Sequence, residues 1–142
     1  MTNLRLERDL PVTPERLFEW ISQTDKLLQW WGPEGITVPE YTLDLRKEGP
    51  WSTVMINADG DRYHVSGVVT HVRPPHSIGF TWGWHDDTGA RGHESHVTFT
   101  VEPHEIGARL VIDHRDLDGA DQAARHQKGW ESTLRKLTST IH

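Results

Sequence analysis

Hydrophobic residues near the end of the chain recur with helical spacing and predict one long amphipathic helix over residues 118–141. Asp118 is the predicted N-cap, because its carboxylate can accept hydrogen bonds from the free amides of the first turn. Gly129 lies inside this helix, where glycine costs about 1 kcal/mol relative to alanine, so a close backbone contact is expected beside Trp130. The residues expected on the buried face are Ala123, Gln127, Trp130, Leu134, Leu137 and Ile141.

The buried face of this helix changes in size along its length. Its C-terminal half carries large apolar side chains, whereas its N-terminal half offers only Ala120, Ala123, Ala124 and Gln127. A helix that seals a core at one end and leaves room at the other indicates a cavity under its N-terminal half.

The first part of the chain predicts one strand followed by two short helices. Residues 4–10 alternate between apolar and polar, as a half-buried strand does. Thr13 is the expected N-cap of the first helix, with proline at the first helical position. A second helix should begin near Asp25 and run through Trp31 until a Gly-Pro pair stops it.

Between residues 36 and 115 the apolar period changes to two, which predicts six further strands joined by short turns. Short turns require antiparallel neighbours, so with the first strand these segments should form a seven-stranded antiparallel sheet. Together with the helices before and after the sheet, this makes the predicted fold class α+β. The expected strands are residues 36–46, 51–57, 62–73, 77–85, 94–102 and 108–115.

The alternation also predicts which face of the sheet the terminal helix covers. His114 belongs to this face, either as a hydrogen-bonded core histidine or as a group that contacts a ligand or transfers a proton. Asp113 beside it should face outward, so adjacency does not make the two a catalytic pair. The inward set is Ile78, Phe80, Trp82, Trp84, Val97, Phe99, Val101, Leu110, Ile112 and His114.

Composition narrows the partners of this 142-residue chain, which suits one domain over residues 1–142. A net charge of -6 argues against a nucleic-acid partner, which would require a basic face. Since no apolar run approaches the roughly 20 residues of a membrane span, no membrane insertion is expected. Without cysteine there is no disulfide or thiol site, and a cytoplasmic location is the default.

Ten histidines raise the question of a metal site, most sharply at His93 and His96. Histidines three residues apart in a strand point to opposite faces, and no third ligand is fixed by spacing, so no metal is predicted. No glycine-flanked serine marks a nucleophile, and no glycine-rich loop marks a phosphate site. Neither a catalytic residue nor a cofactor is therefore predicted.

Seven tryptophans are the strongest compositional signal. Trp82 and Trp84 lie opposite the small half of the terminal helix, so they are either core residues or cavity walls. Trp30 is expected at the cavity rim or on a partner surface. The tryptophans expected as core anchors are Trp31, Trp51 and Trp130.

Short motifs follow one another along nearly the whole chain: Leu28-Gln29-Trp30-Trp31, Asp44 to Trp51, Asp59-Gly60, Gly67-Val68-Val69, Pro74-Pro75, Leu110 to His114 and His126 to Trp130. In this order they resemble the START-like, or SRPBCC, superfamily with its helix-grip fold. Within it, the chain is most similar to homologues of the C-terminal domain of the activator of the ninety-kilodalton heat-shock-protein ATPase.

The resemblance implies a seven-stranded antiparallel sheet gripping the long helix, with a hydrophobic cavity between them. Members of the superfamily bind lipids, hormones or polyketides, and some catalyse cyclisation or dehydration. We therefore expect binding of a small apolar or aromatic molecule, by a monomer or a homodimer. The expected lining residues are Trp82, Trp84, Phe99, Ile112, His114, Ala123, Gln127 and Trp130.

Two other functions stay open at this point. One is an enzyme of the polyketide cyclase or dehydratase type, with His114 and either Gln127 or His126 as the polar groups of the same cavity. The other is a co-chaperone acting on the heat-shock ATPase, ranked last because the chain is expected to lack the additional N-terminal domain of the full activators. The missing acid, base and nucleophile favour binding over catalysis.

Overall fold

One antiparallel sheet carries the fold in the computed structural model, which describes residues 2–142. Its strands are β1 (Thr2–Leu10), β2 (Thr37–Thr42), β3 (Gly49–Ile56), β4 (Arg62–Arg73), β5 (Ser77–His85), β6 (Arg91–His104) and β7 (Gly107–Leu117). The helices are α1 (Pro14–Ser22), α2 (Thr24–Leu27) and α3 (Ala120–Thr140). None of the helices within these described residues is long and apolar enough to cross a membrane.

The strands are arranged in the order β1-β7-β6-β5-β4-β3-β2, and every neighbouring pair is antiparallel. From β2 to β7 each strand pairs with the next one along the chain, as short turns require. β1 pairs with β7, so α1 and α2 carry the chain from one edge of the sheet to the other. The predicted α+β class and seven-stranded helix-grip layout are confirmed.

The first helix begins where the sequence predicts. The Thr13 hydroxyl accepts a hydrogen bond from the backbone N–H of Arg16 at 3.1 Å, and Pro14 occupies the first helical position. This cap satisfies one of the free amides at the helix start. On the buried face, Leu17 and Ile21 have no exposed surface.

The second helix is shorter than predicted, because α2 ends at Leu27 and turns follow it. The expected helix through Trp31 is wrong, because both tryptophans that follow α2 are drawn into the core. The Trp30 indole N–H donates to the backbone carbonyl of Trp20 at 3.0 Å, and that of Trp31 donates to the Thr53 hydroxyl at 3.1 Å. Since Trp30 is completely buried, its expected place at a rim or partner surface is also wrong.

The second strand, β2, is shorter than the predicted 36–46 and ends at Thr42. Beyond it, the Asp44 carboxylate accepts from the backbone N–H of Arg46 at 3.0 Å, which closes a local turn. This turn buries Leu43 and Leu45 outside the strand ladder, so alternation alone overextended the prediction.

The predicted N-cap of α3 is also wrong, because the cap residue is Gly119 rather than Asp118. Gly119 has a φ of 92°, a conformation that favours glycine, and no side chain caps the first turn. The helix therefore begins at Ala120, two residues later than the predicted range.

The hydrophobic core lies between the inward face of the sheet and the helices. The inward sets predicted for β5, β6 and β7 are buried, except that Trp84 is half-buried. On α3, the C-terminal half seals this core through Trp130, Leu134 and Leu137. The N-terminal half contributes Ala123 to the buried set.

We expect Leu134→Ala to lower the free energy of unfolding by about 2–5 kcal/mol, because it removes a fully buried side chain between α3 and the sheet. Urea denaturation would measure this loss. The control Ser139→Ala changes an exposed residue of the same helix and should shift stability by no more than about 0.5 kcal/mol. Equal small effects from both variants would contradict the sealing role of α3.

Candidate functional site

A cavity of about 570 Å³ lies beside the N-terminal half of α3. Small-molecule sites in proteins commonly have volumes of about 300–1,000 Å³, so this space suits a drug-sized guest. One face of the helix, with spacings of three and four residues, forms one side of the cavity. The residues on that side are Gln122, Arg125, His126, Gly129, Trp130 and Thr133.

The opposite sides of the cavity come from the sheet and from the segment after α2. The sheet contributes Trp82 and Trp84 from β5, Met55 from β3 and Tyr63 from β4. Residues 31–36 contribute further apolar surface. Most of the wall is therefore aromatic or aliphatic, as expected of a site for an apolar guest.

Three side chains of α3 hold the segment 31–36 in place as a wall. Lys136 donates to the backbone carbonyls of Trp31 and Gly32 at 3.1 and 3.2 Å. The Ser132 hydroxyl accepts from the backbone N–H of Glu34 at 2.8 Å, and Arg135 binds the Glu34 carboxylate at 2.9 Å. Burial lowers the pKa of Lys136, and Glu34 opposes that effect.

Trp82 is the centre of an aromatic cluster at the cavity. Its ring centroid lies 5.5 Å from that of Trp84, 5.6 Å from that of Trp130 and 5.9 Å from that of Trp31. These are distances at which aromatic pairs attract one another beyond simple burial. The Trp82 indole N–H is buried and has no hydrogen-bond partner among residues 2–142.

Trp84 and His126 connect the sheet to the helix across the cavity wall. The Trp84 indole N–H donates to His126 Nε2 at 3.2 Å, and His126 Nδ1 donates to the backbone carbonyl of Gln122 at 2.9 Å. The imidazole is therefore neutral, and burial lowers its pKa. A smaller cavity of about 180 Å³ shares both residues, so this pair lies between the two spaces.

His114 lies behind the wall, completely buried and bonded through both ring nitrogens. Its Nδ1 accepts from the Trp130 indole N–H at 3.0 Å, which places the ring proton on Nε2, 2.7 Å from the Ser95 hydroxyl. Burial is the main cause that lowers the pKa of His114 to about 3, with smaller effects from His126 and His96. The geometry makes His114 a core residue that positions Trp130.

Gly129 faces the cavity from the middle of α3. A Cβ atom added there would meet only the Pro33 Cγ atom, at 3.9 Å. The close backbone contact expected from the sequence is therefore wrong. The glycine instead leaves volume in front of the helix backbone, at a cost of about 1 kcal/mol in helix stability.

The histidines that raised the metal question are occupied by protein groups. His93 Nε2 lies 2.6 Å from the backbone carbonyl of Asp116, and His96 Nδ1 lies 2.8 Å from the Asp116 carboxylate. Although the strand pattern puts the two rings on opposite faces, both contact the same residue. Across residues 2–142, no group of three or more His, Cys, Asp or Glu side chains is arranged to hold a metal ion.

Comparison with known proteins gives this architecture a family. The model for the Activator of Hsp90 ATPase homolog 1-like protein family matches residues 11–142. The chain belongs to this family.

Relatives of this family member share the fold over nearly their whole length. The crystal structure of an AHSA1 protein from Silicibacter pomeroyi is 58% identical, with a TM-score of 0.94 over 97% of this chain and 96% of its own. An uncharacterized protein of Mycobacterium tuberculosis is 30% identical, over 91% of this chain and 90% of its own. A protein from Chromobacterium violaceum, at 22% identity and a TM-score of 0.86, has the same fold over 99% of this chain and 98% of its own.

Three of the eight predicted lining residues lie at the cavity of this family member: Trp82, Trp84 and Trp130. Gln127, which was also expected to line the cavity, lies outside it. Its side chain is exposed, and its amide donates to the Glu131 carboxylate at 3.1 Å. The other four are buried in the core but do not line the cavity: Phe99, Ile112, His114 and Ala123.

The lining residues that sequence reasoning missed lie in the segment 31–36, on or just after β3, on β4 and on the polar face of α3. Arg125, Gly129 and Thr133 share a helical face with Trp130, but hydrophobic periodicity selects apolar positions and passes over them. Gly129, an unusual residue inside a helix, is the signal in the sequence that could have identified this face.

We expect Gly129→Ala to raise the free energy of unfolding by about 1 kcal/mol, because alanine favours the helix and its methyl group enters open space. Urea denaturation at constant m-value would test this. Lys128→Ala changes an exposed neighbour and should alter stability by only a few tenths of a kcal/mol. A destabilised Gly129→Ala variant would mean that position 129 is closed to a methyl group.

The free energy of unfolding should decrease as the pH falls, because the folded-state pKa of His114, about 3, lies below its ordinary value of 6.5. As the pH falls below 6.5, the unfolded chain binds this proton first, and stability declines by about 1.4 kcal/mol per pH unit until the folded pKa is reached. His126 adds to the slope in the same direction.

Urea titrations between about pH 7.5 and 5 would measure the His114 contribution as the slope lost in His114→Gln, since carboxylates titrate mainly below that range. The control His76→Gln removes an exposed histidine and tests whether a change in slope is specific to position 114. An unchanged slope in His114→Gln would contradict the assignment.

Proposed function

We propose that this chain binds a small apolar or aromatic molecule in the cavity between the sheet and the N-terminal half of α3. The observation that carries the proposal is Gly129, a helix-weakening residue that faces a tryptophan-walled space of about 570 Å³. A closed core would gain stability from alanine or a larger residue at this position. A site that receives a guest gains from the open volume, because the guest can approach the helix backbone.

Binding has more support than catalysis in the same cavity. An enzyme of the cyclase or dehydratase type needs a group that exchanges protons with its substrate. Both ring nitrogens of His126 and of His114 are already bonded to protein groups, and burial keeps both imidazoles neutral. These histidines therefore serve the wall and the core in our proposal.

The family description names an activator of a heat-shock ATPase, and a co-chaperone role follows from that description alone. No contact described above favours it over ligand binding. We propose that residues 2–142 form one domain, because β1 and α3 come from opposite ends of this range and pack together. A cytoplasmic location is likewise part of the proposal.

Binding can be tested with N-phenyl-1-naphthylamine, an uncharged aromatic fluorophore. We expect saturable binding with energy transfer from the tryptophans of the wall. Gly129→Leu should strongly weaken this binding without lowering the melting temperature, because the leucine side chain extends into the cavity and leucine favours a helix more than glycine does.

The matched control is Gln127→Leu, which adds the same side chain two residues away on an exposed part of the helix. This variant should bind the fluorophore as the wild type does. If Gly129→Leu keeps full binding, the fluorophore lies elsewhere and the proposed site is wrong.

A further inference from the structure

Most polar groups that line the cavity are already used by the protein. The Thr133 hydroxyl donates to the Gly129 carbonyl at 2.8 Å, and His126 is bonded through both nitrogens. The Asn57 carbonyl oxygen accepts from the backbone N–H of Asp59 at 3.0 Å and of Asp61 at 2.9 Å. A guest therefore cannot accept a hydrogen bond from Thr133 or His126, or donate one to the Asn57 carbonyl oxygen, without breaking an existing hydrogen bond.

The two charged side chains of the lining differ in whether they are paired. The Glu34 carboxylate accepts from Ser132 and Arg135, both at 2.9 Å, and the Arg135 hydrogen bond is the main cause that lowers its pKa. Arg125 is exposed at the cavity and takes part in no ion pair or side-chain hydrogen bond among residues 2–142. The negative group of the lining is thus compensated and the positive group is available.

Two further lining residues have polar side-chain groups without a partner. The Gln122 side-chain amide has no partner in the part of the chain that the structure describes, and the Trp82 indole N–H is buried without an acceptor. A guanidinium group offers several donors in one plane and binds carboxylate, sulfonate or phosphate oxygens through more than one hydrogen bond. The cavity therefore has apolar walls and one unpaired positive charge, at Arg125, although the chain carries a net charge of -6.

We propose that the ligand is an aromatic anion, with its ring system against the tryptophan wall and its anionic group bound by Arg125. This inference rests on the proposed function, because it assumes that the cavity receives a guest. The tryptophan rings around Trp82 favour a flat aromatic body. A neutral hydrocarbon would make no polar contact with Arg125, and a cation would be repelled by it.

Two fluorophores with the same ring skeleton separate the charge from the apolar contact. 1-Anilinonaphthalene-8-sulfonate carries a sulfonate, whereas N-phenyl-1-naphthylamine lacks it. We expect Arg125→Gln to weaken binding of the sulfonate about tenfold, the low end for a hydrogen-bonded charge at a partly screened site. Binding of the neutral probe should change less than about twofold, because its contacts are apolar.

The control Lys128→Gln removes one positive charge from an exposed position of the same helix that does not line the cavity. It should leave the affinity for both probes within about twofold, since an exposed charge outside the site is screened. Gly129→Leu should strongly weaken binding of both probes, which would locate the sulfonate in the same cavity. Melting temperatures of all variants would verify that they are folded.

The outcomes distinguish this inference from the proposed function. Selective loss of the sulfonate in Arg125→Gln supports both. Binding of both probes with no selective loss overturns the anionic ligand and leaves the cavity proposal standing. An equal loss of both probes in folded Arg125→Gln also overturns it, because Arg125 would then shape the cavity. If neither probe binds the wild type, the proposed function fails and the inference fails with it.

Discussion

A buried chain of hydrogen bonds from α3 into the sheet is the constraint on which the rest of the structure depends. The Trp130 indole binds His114 on β7, and His114 binds Ser95 on β6. The helix cannot rotate without breaking these bonds. Each buried donor or acceptor left unpaired would then cost about 1–3 kcal/mol. With Trp130 held in this way, one face of α3 lines the cavity opposite residues 31–36.

This fixed rotation divides α3 into two parts with different tasks. Its C-terminal half closes the core through Leu134 and Leu137, which have no exposed surface. Its N-terminal half carries small and polar residues, and the tryptophans of β5 cover the core there instead. The stability of the fold therefore comes from one end of the helix, which leaves the other end free to keep a cavity open.

Family membership and physical reasoning support different conclusions about this protein. A relative at 58% identity and one at 22% identity have the same fold, so the sheet and helix tolerate wide changes in sequence. In our proposal, function depends on the few side chains at the cavity, which a fold alone does not specify. The proposed ligand is therefore inferred from groups such as Gly129 and Arg125.

The sequence by itself determined the strands β4 and β5 to the residue, the cap at Thr13 and the inward burial of His114, because each depends on local chemistry or on strict alternation. It also indicated which half of α3 is small. Tertiary structure decided the rest. The turn at Asp44 ended β2 early, and the burial of two neighbouring tryptophans ended α2 early.

The candidate site shows the same division most clearly. Hydrophobic spacing chose Ala123, which is buried in the core, and Gln127, which is exposed, and neither residue lines the cavity. The bond between Trp130 and His114, together with the packing of α3 on the core, sets the rotation that places Arg125 and Gly129 at the cavity. That bond joins residues on different elements, so its geometry follows from the packed sheet and helix and not from the spacing of residues along α3.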